Sequence, residues 1–237
     1  MFSPKVNFIG IGVQKAGTTW LSSILKEHPE IYIHPRKELH YFDKTKFTNS
    51  LYYNFLFRDA KGQKIIGEFT PSYILNKTTA KRIHNYNKKI KLLVILRDPT
   101  GRAVSQYKME IGRKYIDKKI SIIEAFKRNL FDMKKRGHYQ KLINEYLEYF
   151  SRKQILFIDY DHIATSPEKV LETVYSFLNV SKIKSSSNVI KKRIRHKKDL
   201  SVEIKIAENE IKYIRDYYEK LEDFKKFFLW LFHLDKQ

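Results

Sequence analysis

The sequence predicts an α/β fold built on a central parallel sheet, and three observations lead there. Apolar strand-like segments alternate with segments of helical spacing, the pattern of successive βαβ units. One strand candidate, Leu92-Leu93-Val94-Ile95-Leu96, is apolar at every position, as a strand covered on both faces should be. Glycine is scarce at 8 in 237 residues, yet Gly10, Gly12 and Gly17 gather where the first strand passes into the first helix.

The elements follow in order. Val6 to Gly12 reads as the first strand, carrying apolar Val6, Phe8, Ile9 and Ile11. Trp20, Leu21, Ile24 and Leu25 share one helical face immediately after it. Lys64 to Glu68 is a short strand, and Leu92 to Leu96 is the central one. Asp98-Pro99 starts a helix, with Asp98 as N-cap and Pro99 at the first helical position. Leu142, Ile143, Tyr146, Leu147 and Phe150 form a further helical stripe, followed by a buried strand at Ile155 to Ile158. Val170, Leu171, Val174, Tyr175 and Leu178 repeat the helical period after Pro167. Ser185-Ser186-Ser187-Asn188 marks a loop, Lys191 to Lys198 is a basic run, and Ile204 to Leu221 is a long terminal helix. No repeat or linker interrupts the chain. It reads as one domain over 1–237, with its core at 6–180 and a basic loop and helical end at 181–237. The apolar Phe227-Phe228-Leu229-Trp230-Leu231-Phe232 is expected to dock onto the core, with peripheral membrane contact as the lesser reading.

Composition narrows the chemistry. Hydrophobic residues make up 42% of the chain, enough for a packed core. The absence of cysteine excludes disulfides, thiolate metal sites and a cysteine nucleophile. The first residues lack a signal-peptide pattern, and no apolar run approaches the ~20 residues of a membrane span, so a soluble cytoplasmic protein is expected. Lys and Arg number 47 against 26 Asp and Glu, a formal charge of +21. That charge favours anionic partners (nucleic acid, an acidic membrane face, a phosphorylated cofactor, an anionic glycan) without choosing among them. A lysine-rich coding bias accounts for the same excess.

The glycine cluster points to a phosphate-like group, the bland reading being a glycine-containing turn with an exposed lysine. A helix N-terminus offers unpaired N–H groups and a partial positive charge, and glycine before it allows close approach of a phosphate. Gly12-Val13-Gln14-Lys15-Ala16-Gly17-Thr18-Thr19 has P-loop-like spacing but is not a Walker A motif, which ends Gly-Lys-Ser/Thr. Here the lysine sits inside the loop at Lys15, while Thr18 and Thr19 supply hydroxyls at the helix start. Such a loop suits a phosphate-like group and its leaving oxygen without a metal, and no His/Asp/Glu spacing suggests metal ligands. A second anion site follows the central strand. Arg97 stands at its carboxyl end, where open α/β sheets place ligands, and a guanidinium suits bidentate phosphate binding. Ser105 lies about two turns, roughly 9 Å, into the next helix. The bland reading of Arg97 is a surface ion pair.

Together these segments resemble the sulfotransferase family that uses 3′-phosphoadenosine 5′-phosphosulfate (PAPS). Phe8 to Thr19 matches the family's 5′-phosphosulfate loop, and Leu93 to Tyr107 its 3′-phosphate segment, with Arg97 and Ser105 in the binding positions. Lys37-Glu38-Leu39-His40-Tyr41-Phe42-Asp43 looks like the catalytic segment of the carbohydrate-modifying branch, which includes heparan sulfate sulfotransferases and bacterial relatives. Glu68-Phe69-Thr70-Pro71-Ser72-Tyr73 and Ile155 to Asp161 fit less closely. The resemblance implies a P-loop-like three-layer α/β/α fold and transfer of a sulfuryl group from PAPS to a hydroxyl or amine, here of a carbohydrate or glycoconjugate. It implies Lys15, Ala16, Gly17, Thr18, Thr19 and Trp20 around the 5′-phosphosulfate and Glu38 as general base. His40 is the rival base, because imidazole titrates nearer neutrality; its bland reading is a residue packed beside Tyr41 and Phe42. One departure stands out. Many heparan-type members carry a second lysine directly before Thr-Pro, where this chain has Phe69. Either Lys15 serves the leaving group alone or another base, Lys37 or one from Lys191 to Arg195, supplements it. Arg193 and Arg195 are read as closing over the adenosine. The alternatives are a magnesium-dependent P-loop kinase of a small metabolite and a non-enzymatic nucleic-acid-binding protein.

Overall fold

The computed structural model describes residues 5–44, 49–183, 204–221 and 224–233. The loop at 185–188, the basic run 191–198 and the expected nucleotide contacts Arg193 and Arg195 lie outside these residues.

Five strands form one sheet: β1 (Phe8–Gly12), β2 (Ile31–Ile33), β3 (Ile65–Phe69), β4 (Lys91–Leu96) and β5 (Ile155–Asp159). Their order is β2-β3-β1-β4-β5, and every neighbouring pair is parallel. The four longer strands were legible in the sequence within one or two residues of these limits. β2 was not, because three residues are too few to show a period. Val6 also stays outside β1, its N–H taken by the Tyr86 hydroxyl at 2.8 Å. β1 and β3 are buried at every position, as strands covered on both faces must be.

Two glycines let the central strands approach. A Cβ on Gly67 would come within 2.2 Å of the Phe8 carbonyl oxygen, and one on Gly10 within 2.1 Å of the Phe69 ring. The order places β1 at a topological switch point: the chain leaves β1 for β2 at one edge, returns through β3, and then passes β1 to β4 and β5 on the other side. Open α/β sheets bind ligands in the crevice this creates beyond the strands' carboxyl ends. Parallel strands require crossovers, which contain α1 (Thr18–Leu25), α2 (Ser50–Phe55), α3 (Lys77–Tyr86) and, before β5, α6 (Tyr139–Leu147); α7 (Tyr160–Thr165) and α8 (Pro167–Leu178) follow β5.

The chain divides into two compact units, both discontinuous in sequence: Met1–Leu96 with Leu142–Arg195, which holds the sheet, and Arg97–Lys141 with His196–Gln237. The second unit is helical. It contains α4 (Pro99–Gly112), α5 (Ile122–Lys127) and a helix at Glu208–Glu219, which starts later than the apolar pattern from Ile204 suggested. Ala103, Tyr107, Ile111, Ile122, Phe126, Met133, Ile214 and Tyr218 form its core. α4 begins as expected: Pro99 opens it, and the Asp98 carboxylate accepts from the N–H groups of Thr100 (3.3 Å) and Gly101 (2.6 Å). Arg102 is wholly buried in this unit, donating to Gln106 Oε1 and to the Met133 carbonyl, each at 2.6 Å. In the last helix, Phe224–His233, Phe227 and Leu231 are buried while Trp230 is exposed. Among the described residues, no helix is long and apolar enough to cross a membrane.

Candidate active site

The loop after β1 begins at the switch point. Val13 donates its N–H to the Ile95 carbonyl of β4 at 2.9 Å, which holds the loop's first residue against the sheet. Two residues then take left-handed backbone conformations, Lys15 at φ 70° and Gly17 at φ 85°. Gly17 caps α1 without a side-chain hydrogen bond, and no acidic residue occupies the first turn. Left-handed residues just ahead of a helix turn successive N–H groups toward one point, which suits an anion. The cost of holding Lys15 there, roughly 1–2 kcal/mol, is typical of strain kept at functional sites. Thr18 and Trp20 are buried, Thr19 is exposed, and Lys15 is half-buried. The Trp20 indole N–H and Gln14 Oε1 are buried and meet no hydrogen-bond partner among the described residues. Buried polar atoms are almost always satisfied, so the loop has unused polar capacity that a bound anionic group could meet.

The segment carrying Glu38 lies against this loop. The Lys37 ammonium donates to the Thr19 hydroxyl at the start of α1. The Glu38 N–H donates to the Phe69 carbonyl at the end of β3 (3.1 Å), and the Thr70 N–H donates to the Gly10 carbonyl of β1 (3.0 Å). Glu38 and His40 are both left-handed, at φ 60° and 55°. Their side chains meet, His40 Nε2 standing 3.7 Å from Glu38 Oε2. The other imidazole nitrogen, Nδ1, donates to Asp43 Oδ2 at 2.8 Å, and the Ser72 hydroxyl donates to the same oxygen at 2.7 Å.

These contacts set the charges. The hydrogen bond to Asp43, then that to Glu38, raises the His40 pKa to about 9 against the opposing effect of burial. Burial alone would raise Asp43, but its bonds to His40 and Ser72 outweigh this and hold it below the ordinary carboxylate value. Both carboxylates therefore favour the protonated imidazole, which links them in a carboxylate–imidazolium–carboxylate chain. Its ring is thus hydrogen-bonded on both sides as well as packed beside Tyr41 and Phe42.

Phe69 has a structural reason. Its ring is buried, lies across Gly10 and meets Phe8 edge-on at 5.5 Å between centroids. The position that holds a lysine in many heparan-type relatives is here part of the sheet's packing.

The second anion segment belongs to the helical unit. Arg97 directly follows β4 and is half-buried; its guanidinium lies over the first turn of α4, where a Cβ on Gly101 would come within 3.5 Å of Nε and Nη2. Ser105 is half-buried on α4. Among the described residues, no cluster of His, Asp or Glu could hold a metal ion.

Sequence reasoning missed Asp43, Ser72, Glu68, Tyr73 and Tyr53. Glu68 had a signal: a carboxylate inside the otherwise apolar strand Ile65–Phe69 requires buried partners.

Known proteins share the domain and the fold of this chain. A sulfotransferase domain family model matches residues 7–215. The membrane-associated sulfotransferase kil1 of Dictyostelium discoideum is 42% identical over 114 residues, 44% of this chain and 23% of that protein. The mouse heparan sulfate glucosamine 3-O-sulfotransferase 5 is 30% identical over 183 residues, 72% of this chain and 52% of that protein. The chain thus spans about half, or less, of the length of these curated relatives. A sulfotransferase from Alicyclobacillus acidocaldarius superposes with a TM-score of 0.69 at 25% identity, covering 80% of this chain and 90% of that one. A mouse sulfotransferase complexed with PAP shares the fold, with a TM-score of 0.57 at 18% identity over 81% of this chain and 66% of that one.

Proposed function

Because the chain belongs to the sulfotransferase family, whose domain spans residues 7–215, we propose that it moves a sulfuryl group from PAPS to a hydroxyl or amine of a carbohydrate acceptor. The observation that carries this reading is the bond from Lys37 to Thr19. It sets Glu38, the candidate base, one residue away from a side chain attached to the anion-binding loop.

The residues divide the work as follows. The amides from Lys15 to Thr19 hold the 5′-phosphate, and the Trp20 indole N–H has a donor to spare. Lys15 balances charge on the bridging oxygen as the sulfur–oxygen bond breaks. Lys37 is the second cation, in place of the lysine that Phe69 replaces. Glu38 takes the proton from the acceptor as its oxygen or nitrogen bonds to sulfur, and 3′-phosphoadenosine 5′-phosphate (PAP) leaves. A carboxylate is a weak base, so orientation matters, and the His40 imidazolium orients Glu38. Arg97 and Ser105 take the 3′-phosphate. In-line positioning and charge stabilisation account for the rate, as in phosphoryl transfer. The carbohydrate acceptor is supported by the names of the heparan sulfate relatives. A cytoplasmic location remains the reading from composition. Peripheral membrane contact through the last helix is the second reading, favoured by exposed Trp230 and Lys226 and by the membrane association in the kil1 name.

The deciding experiment is a labelled-sulfate transfer screen with PAPS across glycans, glycolipids and small alcohols, read by mass spectrometry with and without magnesium. Transfer without magnesium, lost in Glu38→Gln while PAP still binds, is expected. Near-normal turnover by Glu38→Gln on the true acceptor would remove Glu38 as base.

A further inference from the structure

Glu68 takes no part in the chemistry above, yet its side chain is buried beneath the loop that performs it. It is 1% exposed. Its Oε1 accepts from the hydroxyls of Tyr53 (2.7 Å) and Tyr73 (3.0 Å). Its Oε2 accepts from the Thr70 hydroxyl (2.7 Å) and from the Leu39 N–H (3.4 Å). The Tyr73 oxygen in turn accepts from the N–H groups of Tyr41 (2.8 Å) and Phe42 (3.3 Å). Three backbone N–H groups of one short loop therefore end on a single buried carboxylate–tyrosine pair. The left-handed residues flank the first of these: Glu38 stands just before Leu39, and His40 between Leu39 and Tyr41.

We infer that Glu68 is a positioning residue, a buried carboxylate that with Tyr73 fixes the backbone of residues 39–42 so that Glu38 and His40 face each other. The inference rests on the reading of Glu38 as base. The donor set explains why a carboxylate is required. Four donors point at its two oxygens, so the ionised form satisfies every one, whereas a proton on either oxygen would oppose a donor. Burial pushes the Glu68 pKa up, and the four hydrogen bonds work against that rise. Burial likewise keeps both tyrosines in their donating, protonated form. Anchored N–H groups on either side leave the loop no room to relax its left-handed residues, whose strain the buried cluster sustains.

The test is Glu68→Gln. Whichever way the amide turns, its NH₂ meets groups that donate, and either the Leu39 N–H or the tyrosine pair loses an acceptor. The expected result has two parts. Turnover falls about 10–100-fold, as for a misplaced catalytic group, with PAP affinity kept within about twofold. The His40 imidazole, assigned by comparison with His40→Asn and followed by NMR, titrates well below the parent value of about 9, moving toward the free value of about 6.5. If Glu68→Gln does not fold, Tyr73→Phe, which removes one hydroxyl, carries the same two readouts. Unchanged turnover, an unmoved His40 titration, or PAP affinity falling in step with turnover overturns the inference. The His40 titration needs no acceptor, so it reports on the brace even if Glu38→Gln shows that the base has been misassigned.

Discussion

Replacing Gly17 with alanine tests the loop directly, because the structure supplies both a cost and a control. Gly17 holds φ at 85°, where an L-residue costs roughly 1–2 kcal/mol. The added Cβ would meet the Ile163 δ-methyl at 3.2 Å and the Tyr160 ring at 3.5 Å, and the methyl is a flexible tip that can yield. Backbone strain therefore dominates. The protein can take that cost in either of two ways. If the loop keeps its shape, stability falls by the full amount. If the loop relaxes to negative φ, its amides turn away and PAP binding must restore them, so affinity falls instead, by about 5–30-fold for the same energy. The two losses should sum to about 1–2 kcal/mol. Gly62 is the control: its φ is 82°, and nothing lies within 4 Å of its Cβ position. Gly62→Ala should lose similar stability and no PAP affinity. Urea denaturation and calorimetric titration with PAP measure both quantities on each protein. A Gly17→Ala variant as stable as the parent and binding PAP within about twofold would refute the strained-loop reasoning, as would an equal affinity loss in Gly62→Ala.

Arg97→Ala should weaken PAP binding by about 10–100-fold, the loss of a charge-assisted contact, and leave adenosine 5′-phosphate nearly unaffected. Equal weakening of both nucleotides, read by calorimetry, would remove Arg97 from the 3′-phosphate. The folded His40 keeps its proton up to about pH 9, above the free value of about 6.5. Its contribution to stability is thus complete below about pH 6.5 and drains away as pH rises through about 9, amounting to about 1–2 kcal/mol once solvent screening is allowed for. Asp43→Asn removes the main cause and should flatten the stability difference between pH 6 and pH 10 in urea titrations; an undiminished difference would show that Asp43 is not the partner. Arg102→Met removes two short charged hydrogen bonds from a buried position and should cost about 2–4 kcal/mol by denaturation. A cost under about 1 kcal/mol would mean that the guanidinium is dispensable there.

The sheet was legible because its long strands are apolar beyond what an exposed segment would carry, and the loop because glycine is scarce elsewhere. The start of α4 was legible because Asp98 and Pro99 encode capping within the first turn. β2 and the short α2 lack the length to display a period, so tertiary contacts decide them. The orientation of Glu38 and His40 was hidden for a related reason. Two residues apart, they would share one face of a strand but stand on nearly opposite sides of a helix, and the left-handed backbone that both adopt belongs to neither element. Nothing in the identity of Glu or His announces a positive φ. The partners that enforce it, Glu68 and Tyr73, lie about thirty residues further on.

That separation explains why the site forms where it does. β3 pairs with β1 in register, Gly10 opposite Phe69. Where the two strands end, the Thr70 N–H reaches the Gly10 carbonyl, and the Phe69 carbonyl receives the Glu38 N–H. Backbone bonds at one strand end thus join the anion loop, the Glu38 segment and the buried Glu68 cluster. A charge inside β3 is tolerable only because that strand end also gathers hydroxyls and loop amides around it. The same residue that strains the rule of apolar strands therefore supplies the anchor for a loop without regular secondary structure. An apolar residue at position 68 would suit the strand better and would leave three loop N–H groups and two tyrosine hydroxyls without their common support.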